Sequence, residues 1–228
     1  MKAFVFIHSP LVGPLTWALV ADEVRRHGYT ALVSALPDSR YISPPYWKRH
    51  AEAIAQSVES TSQEHHLILV GHSGAGPLLP AVRQALDRSV AAYVFVDAAI
   101  PRAGASRFDL FESSEAVRQF SQAAVDGLLP TWGEEDLRDD LPNAELRRRF
   151  VAELRPLPVA VYEEPLPVFV GWPDAPCAYL HFSSFYESPA AWAQQAGWAY
   201  IQLKGGHFHM LVDPLAVAEA LLRLVSDA

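Results

Sequence analysis

A serine in Gly71-His72-Ser73-Gly74-Ala75 and a histidine in Gly205-Gly206-His207-Phe208-His209 are the residues whose types and setting point to chemistry. The first run fits G-x-S-x-G at Gly71 and Ser73 and departs from it at Ala75, with Gly76 one position too late to restore the pattern. A serine directly after a buried strand and directly before a helix start sits on a strained turn above a sheet. There its hydroxyl can attack a carbonyl, with the Gly74 N–H near the developing negative charge. Such a hydroxyl is a poor nucleophile without a base. The two glycines before His207 let the backbone turn sharply and aim an imidazole at the same edge, and spacing alone does not separate His207 from His209. The competing reading is glycine turns and histidines kept for folding.

These groups need a frame, and the periodicity supplies one. Strand-forming runs occupy 3–7, 29–36, 67–70, 93–96, 178–182 and 198–203, and the first is apolar enough to be covered on both faces. Helical spacing occupies 15–27, 47–62, the stretch after Gly76, 188–195 and the segment opened by Pro214. Alternation of this kind predicts an α/β fold, a mostly parallel sheet with helices on both faces, over a single domain spanning 1–228. Between 101 and 160 the strand-like runs give way to charged helical segments at 112–125 and 143–154, which predicts a small helical cap inserted over the strand ends. Phe108, Phe111, Phe120, Leu128, Leu129 and Trp132 are its candidate pocket or anchoring residues. Val168–Val170 reads as an edge strand or as connector, and the acidic run at 134–140 as a solvated face.

Composition excludes several classes. The chain has 228 residues, 50% hydrophobic and 19% charged, which is not the profile of a disordered protein. A net charge of -8 disfavours binding a phosphate backbone, so no nucleic-acid partner is expected. No window is apolar enough to predict a membrane span, and the amino-terminal run lacks the pattern of a secretory leader. The single cysteine, Cys177, fits a reducing compartment and a cytoplasmic protein.

With its first strand ending in His8-Ser9-Pro10, Trp17 in the next helix, the turn around Ser73, the insertion and the run GGHFHMLVDP, the chain resembles the α/β-hydrolase fold superfamily over nearly its whole length. The resemblance implies a serine hydrolase acting without a cofactor on a small-molecule ester, thioester or activated carbonyl, or a hydroxynitrile-lyase-like enzyme, and since no acidic metal motif joins the histidines no metal is expected. It favours His207 as the base, seven residues before Pro214, and leaves His209 to the pocket. It also implies an acid after the penultimate strand, which makes Glu187 the leading candidate. Asp97, at the end of the fourth strand, and Asp174 are the alternatives.

The family often carries His-Gly-x after its early strand, with the amide of x as the second oxyanion donor. Here Ser9 replaces the glycine and Pro10, which has no N–H, is x. Either the donor moves to Leu11, beside Gly74, or the hole is incomplete and the chemistry gentler than ester hydrolysis. Losing one donor costs roughly 3 kcal/mol of transition-state stabilisation, which keeps lyase or cyclase chemistry, and a non-catalytic ligand-binding protein, as alternatives to a serine esterase. Ser9, Pro10, His72, Trp132 and His209 are the expected pocket residues.

Overall fold

The computed structural model describes residues 2–59, 61–62 and 64–226. In chain order the elements are β1 (Lys2–Ile7), α1 (Leu15–Arg26), β2 (Thr30–Ser34), α2 (Tyr46–Val58), β3 (His66–Ser73), α3 (Leu79–Ala85), β4 (Val90–Ala98), α4 (Ser114–Gln122), β5 (Leu128–Leu129), α5 (Ala144–Glu153), β6 (Leu157–Pro158), α6 (Ala160–Glu163), β7 (Cys177–His181), α7 (Glu187–Gln195), β8 (Ala199–Gln202), α8 (His209–Val212) and α9 (Pro214–Leu224). Among the described residues the main sheet runs β2-β1-β3-β4-β7-β8, with every neighbouring pair parallel. This is the α/β architecture that the alternating pattern predicts.

Side chains alternate across a strand, and that period of two sorts the apolar runs into two cores. Phe4, Phe6, Ile68, Val70, Val94 and Val96 face α1 and α9 on one side of the sheet. Val5, Ile7, Leu67, Leu69, Tyr93 and Phe95 face α2, α3 and α7 on the other. Each fully buried Val, Leu, Ile or Phe contributes roughly 1.5–3 kcal/mol, so both layers hold the strand ends in register. Trp17 is fully buried, and its indole N–H donates to the Ile7 carbonyl at 3.2 Å, tying α1 to the end of β1.

The sequence-expected elements recur with ends shifted by a few residues. The second helix stops at Val58 with Glu59 as its cap, while Ser60, inside the expected range, lies outside the described residues. Val168–Val170 is connector, with Val170 fully exposed. Between β4 and β7 the helices α4 and α5 stand where charged helical patterning predicts them. The two-residue pair β5–β6 and the single turn α6 are too short to leave a periodic signal. A third apolar cluster gathers there, in which Leu129, Leu157, Val161 and Tyr162 pack with Phe108, Phe111 and Phe120.

Candidate functional site

Ser73 ends β3 with φ +56, a left-handed backbone that a non-glycine residue adopts only when its surroundings impose it. The constraint comes from close packing behind the turn. A Cβ on Gly76 would stand 2.3 Å from the Ala99 carbonyl and 3.0 Å from the Ala98 Cβ, so a side chain there would push the turn off β4. The close approach expected of a glycine at position 75 is thus supplied by Gly76, and Ala75 is accommodated with full burial. Gly205 and Gly206 likewise give room rather than left-handed freedom, since added Cβ atoms would strike His209 and Asp140.

Asp97 is the second strained residue, with φ +43 near the end of β4. In the β3–β4 pairing His72 faces Val96 and Ser73 faces Ala98, so Asp97 is the extra residue of a bulge. A bulge re-aims its side chain, and here it turns the carboxylate towards the carboxyl-terminal loop. Tyr179 pins the kink from β7, accepting from the Ala98 N–H at 3.0 Å and donating to the Ala98 carbonyl at 2.7 Å.

The Asp97 carboxylate is fully buried and saturated with donors. Its Oδ1 accepts the Phe182 and Ser183 N–H groups, each at 3.0 Å, and its Oδ2 accepts the Ser183 hydroxyl at 2.6 Å and His207 Nδ1 at 2.7 Å. Burial on its own would raise the Asp97 carboxyl. The hydrogen bonds from His207 and Ser183 outweigh it and hold the group below the usual carboxylate range. With Nδ1 donating to Asp97, Nε2 of a neutral His207 is the basic nitrogen.

The carboxylate at His207 is therefore Asp97, and the expectation of Glu187 is corrected. Glu187 opens α7 with its side chain 68% exposed, and the ring it approaches is His181, at 3.7 Å. The loop that was to furnish an acid furnishes donors to Asp97 instead. Asp174 is also remote in its bonding, pairing with Arg83 at 2.7 Å and accepting from the Tyr93 hydroxyl at 2.5 Å.

Ser73 and His207 border one cavity of about 830 Å³, which the segment between β4 and β7 closes with Phe111, Phe120, Trp132 and Tyr162. Among the described residues the Ser73 hydroxyl pairs with the Tyr186 hydroxyl at 3.0 Å, and the Tyr186 ring stacks on His207 at 5.4 Å and 25°. Burial raises the Tyr186 phenol, which stays protonated. Of the expected pocket residues, Trp132 lines this cavity, as do Gly74 and Leu11. The others do not. Ser9 and His72 are buried behind it, Pro10 borders a separate cavity of about 180 Å³, and His209 packs on Phe182 at the start of α8. His72 serves His207 from below, its Nε2 bonded to the His207 carbonyl at 3.1 Å. The Leu11 N–H stands 3.5 Å from Ser9 Oγ, a long contact.

Tyr186, Tyr162, Arg107 and Ser183 carry much of this geometry and were not singled out in the sequence. Tyr186 lies one residue from Glu187, in the loop where the resemblance implies a carboxylate. Arg107 and Tyr162 lie in the segment between β4 and β7, where no periodicity ties a residue to the strand ends.

Comparison with known proteins agrees with the architecture. Residues 4–220 match the profile of the alpha/beta hydrolase family. A carbendazim hydrolyzing esterase from Nocardioides sp. (strain SG-4G) is 24% identical, covering 98% of this chain and all of that protein. Among solved structures, an extracellular alpha/beta-hydrolase from a Paenibacillus species superposes with a TM-score of 0.79 at 22% identity, covering 98% of this chain and 99% of its own. A methylesterase from Arabidopsis superposes at 0.75 with 17% identity, over the whole of both chains. The chain belongs to the α/β hydrolase family. Among the described residues no helix is long and apolar enough to cross a membrane.

Proposed function

We propose that the chain is a serine hydrolase of small, largely apolar esters, with Ser73 as nucleophile, His207 as general base and Asp97 as the orienting carboxylate. The observation that carries this reading is the 2.7 Å bond from His207 Nδ1 to a buried Asp97, made at the rim of a cavity that also exposes a strained Ser73. Rotation about the Ser73 Cα–Cβ bond exchanges Tyr186 for His207 as the partner of Oγ. Attack then joins Oγ to the acyl carbon while the serine proton passes to His207 Nε2, and Asp97 stabilises the imidazolium without taking the proton. His207 returns that proton to the departing alkoxide, and water repeats the sequence to release the acid. Phe111, Phe120 and Trp132 favour a largely apolar substituent, and the likeness to an esterase supports the ester chemistry. The segment between β4 and β7 acts as the cap.

The hydrogen bond between Ser73 and Tyr186 favours one second reading, lyase chemistry in which these hydroxyls and His207 move protons without an acyl-enzyme. A fluorophosphonate probe with mass mapping, together with hydrolysis of short aryl esters, separates the two. Hydrolysis predicts one adduct at Ser73 and a loss of roughly 10³-fold or more in kcat for Ser73→Ala. Equal turnover by wild type and Ser73→Ala would remove the hydrolase reading.

A further inference from the structure

Stabilising an oxyanion at Ser73 takes two donors about 3 Å from the developing charge. Gly74 N–H is one. The loop after β1 contributes no second in the usual place, because Pro10 lacks an N–H, and the nearest partner of the next amide, Leu11 N–H, is Ser9 Oγ at 3.5 Å. Beside Gly74, however, two hydroxyls converge. A Cβ built on Gly74 would stand 3.0 Å from the Tyr162 hydroxyl and 3.1 Å from Ser9 Oγ. Gly74 has no left-handed φ, so the space a side chain would fill, rather than backbone freedom, is what glycine provides here.

We infer that the Tyr162 hydroxyl is the second oxyanion donor of this site. The inference rests on the serine-hydrolase reading above. Tyr162 borders the cavity together with Ser73 and Gly74, whereas Ser9 does not. Ser9 Oγ lies behind it, facing the Leu11 N–H on one side and the Tyr162 oxygen on the other. When Ser9 donates to that oxygen, the phenol's own proton is free to point at the substrate.

Arg107 fixes the distance. Its Nε donates to the Gly74 carbonyl at 2.9 Å and its Nη1 to the Val161 carbonyl at 2.8 Å, so one buried guanidinium clamps the turn after Ser73 to α6. It also lies 5.8 Å from the Tyr162 ring centroid, and its Nη2 is buried without a hydrogen-bond partner among the described residues. Burial raises the Tyr162 phenol while the Arg107 charge and Ser9 pull it back, which leaves a protonated and polarised donor. As Ser73 Oγ bonds to the acyl carbon, the carbonyl π pair moves onto oxygen. Tyr162 and Gly74 donate hydrogen bonds to that oxygen without losing their protons, and collapse restores the carbonyl and expels the alkoxide.

Tyr162→Phe keeps the ring and its packing and removes the hydroxyl alone. With active sites titrated by fluorophosphonate, kcat on short aryl esters should fall about 30- to 300-fold with KM changed by less than about threefold. An alkylboronic acid, which forms a tetrahedral adduct at the serine, should bind about 30- to 300-fold more weakly as well, an effect that altered packing alone would not produce. A folded Tyr162→Phe with kcat within about threefold of wild type would overturn the inference. If Tyr162→Phe does not fold, Tyr162→Met decides, since a flexible apolar chain can fill the place of the ring and likewise carries no hydroxyl. A loss in kcat at constant KM supports the inference, and an unchanged kcat overturns it. Failure of wild type to label at Ser73 would instead sink the underlying hydrolase reading.

Discussion

Two groups of histidines sit at the same end of the sheet under opposite electrostatic regimes. His207 keeps 23% of its side chain exposed, borders the large cavity and has a carboxylate on Nδ1. His8, His50 and His72 are almost fully buried, and their hydrogen-bond partners are backbone groups and a hydroxyl. Burial lowers His8 to about 4 and His50 to about 3, and it drives His72 well below the ordinary imidazole range. All three are neutral scaffolding at neutral pH. Burial alone makes an imidazole a poor proton acceptor, and His207, the base of the proposed mechanism, is the one of these four rings that has a carboxylate on Nδ1.

That contrast breaks most sharply at Asp97. Asp97→Asn keeps an acceptor for the Phe182 and Ser183 N–H groups, and asparagine tolerates the left-handed backbone found there. What changes is the partner of His207 Nδ1, which can now face an amide N–H and take the wrong tautomer. We expect kcat on short aryl esters to fall about 10³- to 10⁴-fold with circular dichroism unchanged. A loss under tenfold would mean that the carboxylate does not set the His207 tautomer.

The scaffolding histidines yield a stability effect of intermediate size. His8 stays neutral in the fold down to about pH 4, whereas in the unfolded chain it takes a proton near 6.5. Between these values the unfolded chain binds more protons. The stability present above pH 6.5 therefore drains away as pH falls towards 4, by roughly 3 kcal/mol at the lower end. His8→Gln should remove the His8 share of that slope in urea unfolding between pH 7.5 and 4.5, while His50 and His72 keep theirs. Parallel pH profiles for wild type and variant would show that His8 is protonated in the fold after all.

How far the sequence reveals this site follows from what each part depends on. Strand runs such as 67–70 and helical stripes such as 15–26 are local patterns, and burial on one or two faces writes them directly into residue types. Ser73 is legible because a glycine-flanked turn announces it, whereas the glycines at 205 and 206 mark the histidine segment without separating His207 from His209. Asp97 is weakly legible, because its role depends on a bulge between β3 and β4, and a register shift leaves no mark in composition. Nor does the sequence show that the close approach at position 75 has passed to Gly76, or that Tyr162 meets Gly74 across nearly ninety residues. Those are tertiary distances between elements that the local pattern treats as independent.

The smallest expected effect tests the same contrast from the other side. Glu187 lies in the first turn of α7, where a carboxylate gains a few tenths of a kcal/mol from the helix dipole and loses much of it to solvent screening. Its side chain is 68% exposed and approaches His181, a ring whose Nε2 is already 2.7 Å from the Ser183 carbonyl. Glu187→Gln should therefore leave kcat and KM within about twofold of wild type and stability within about 0.5 kcal/mol. The measurement sharpens the Asp97 result because both acids flank the loop that follows β7. A loss at Glu187 comparable to that at Asp97 would show the two carboxylates acting together through Ser183 and His181, and the boundary between base and scaffold would then lie further from His207 than its hydrogen bonds indicate.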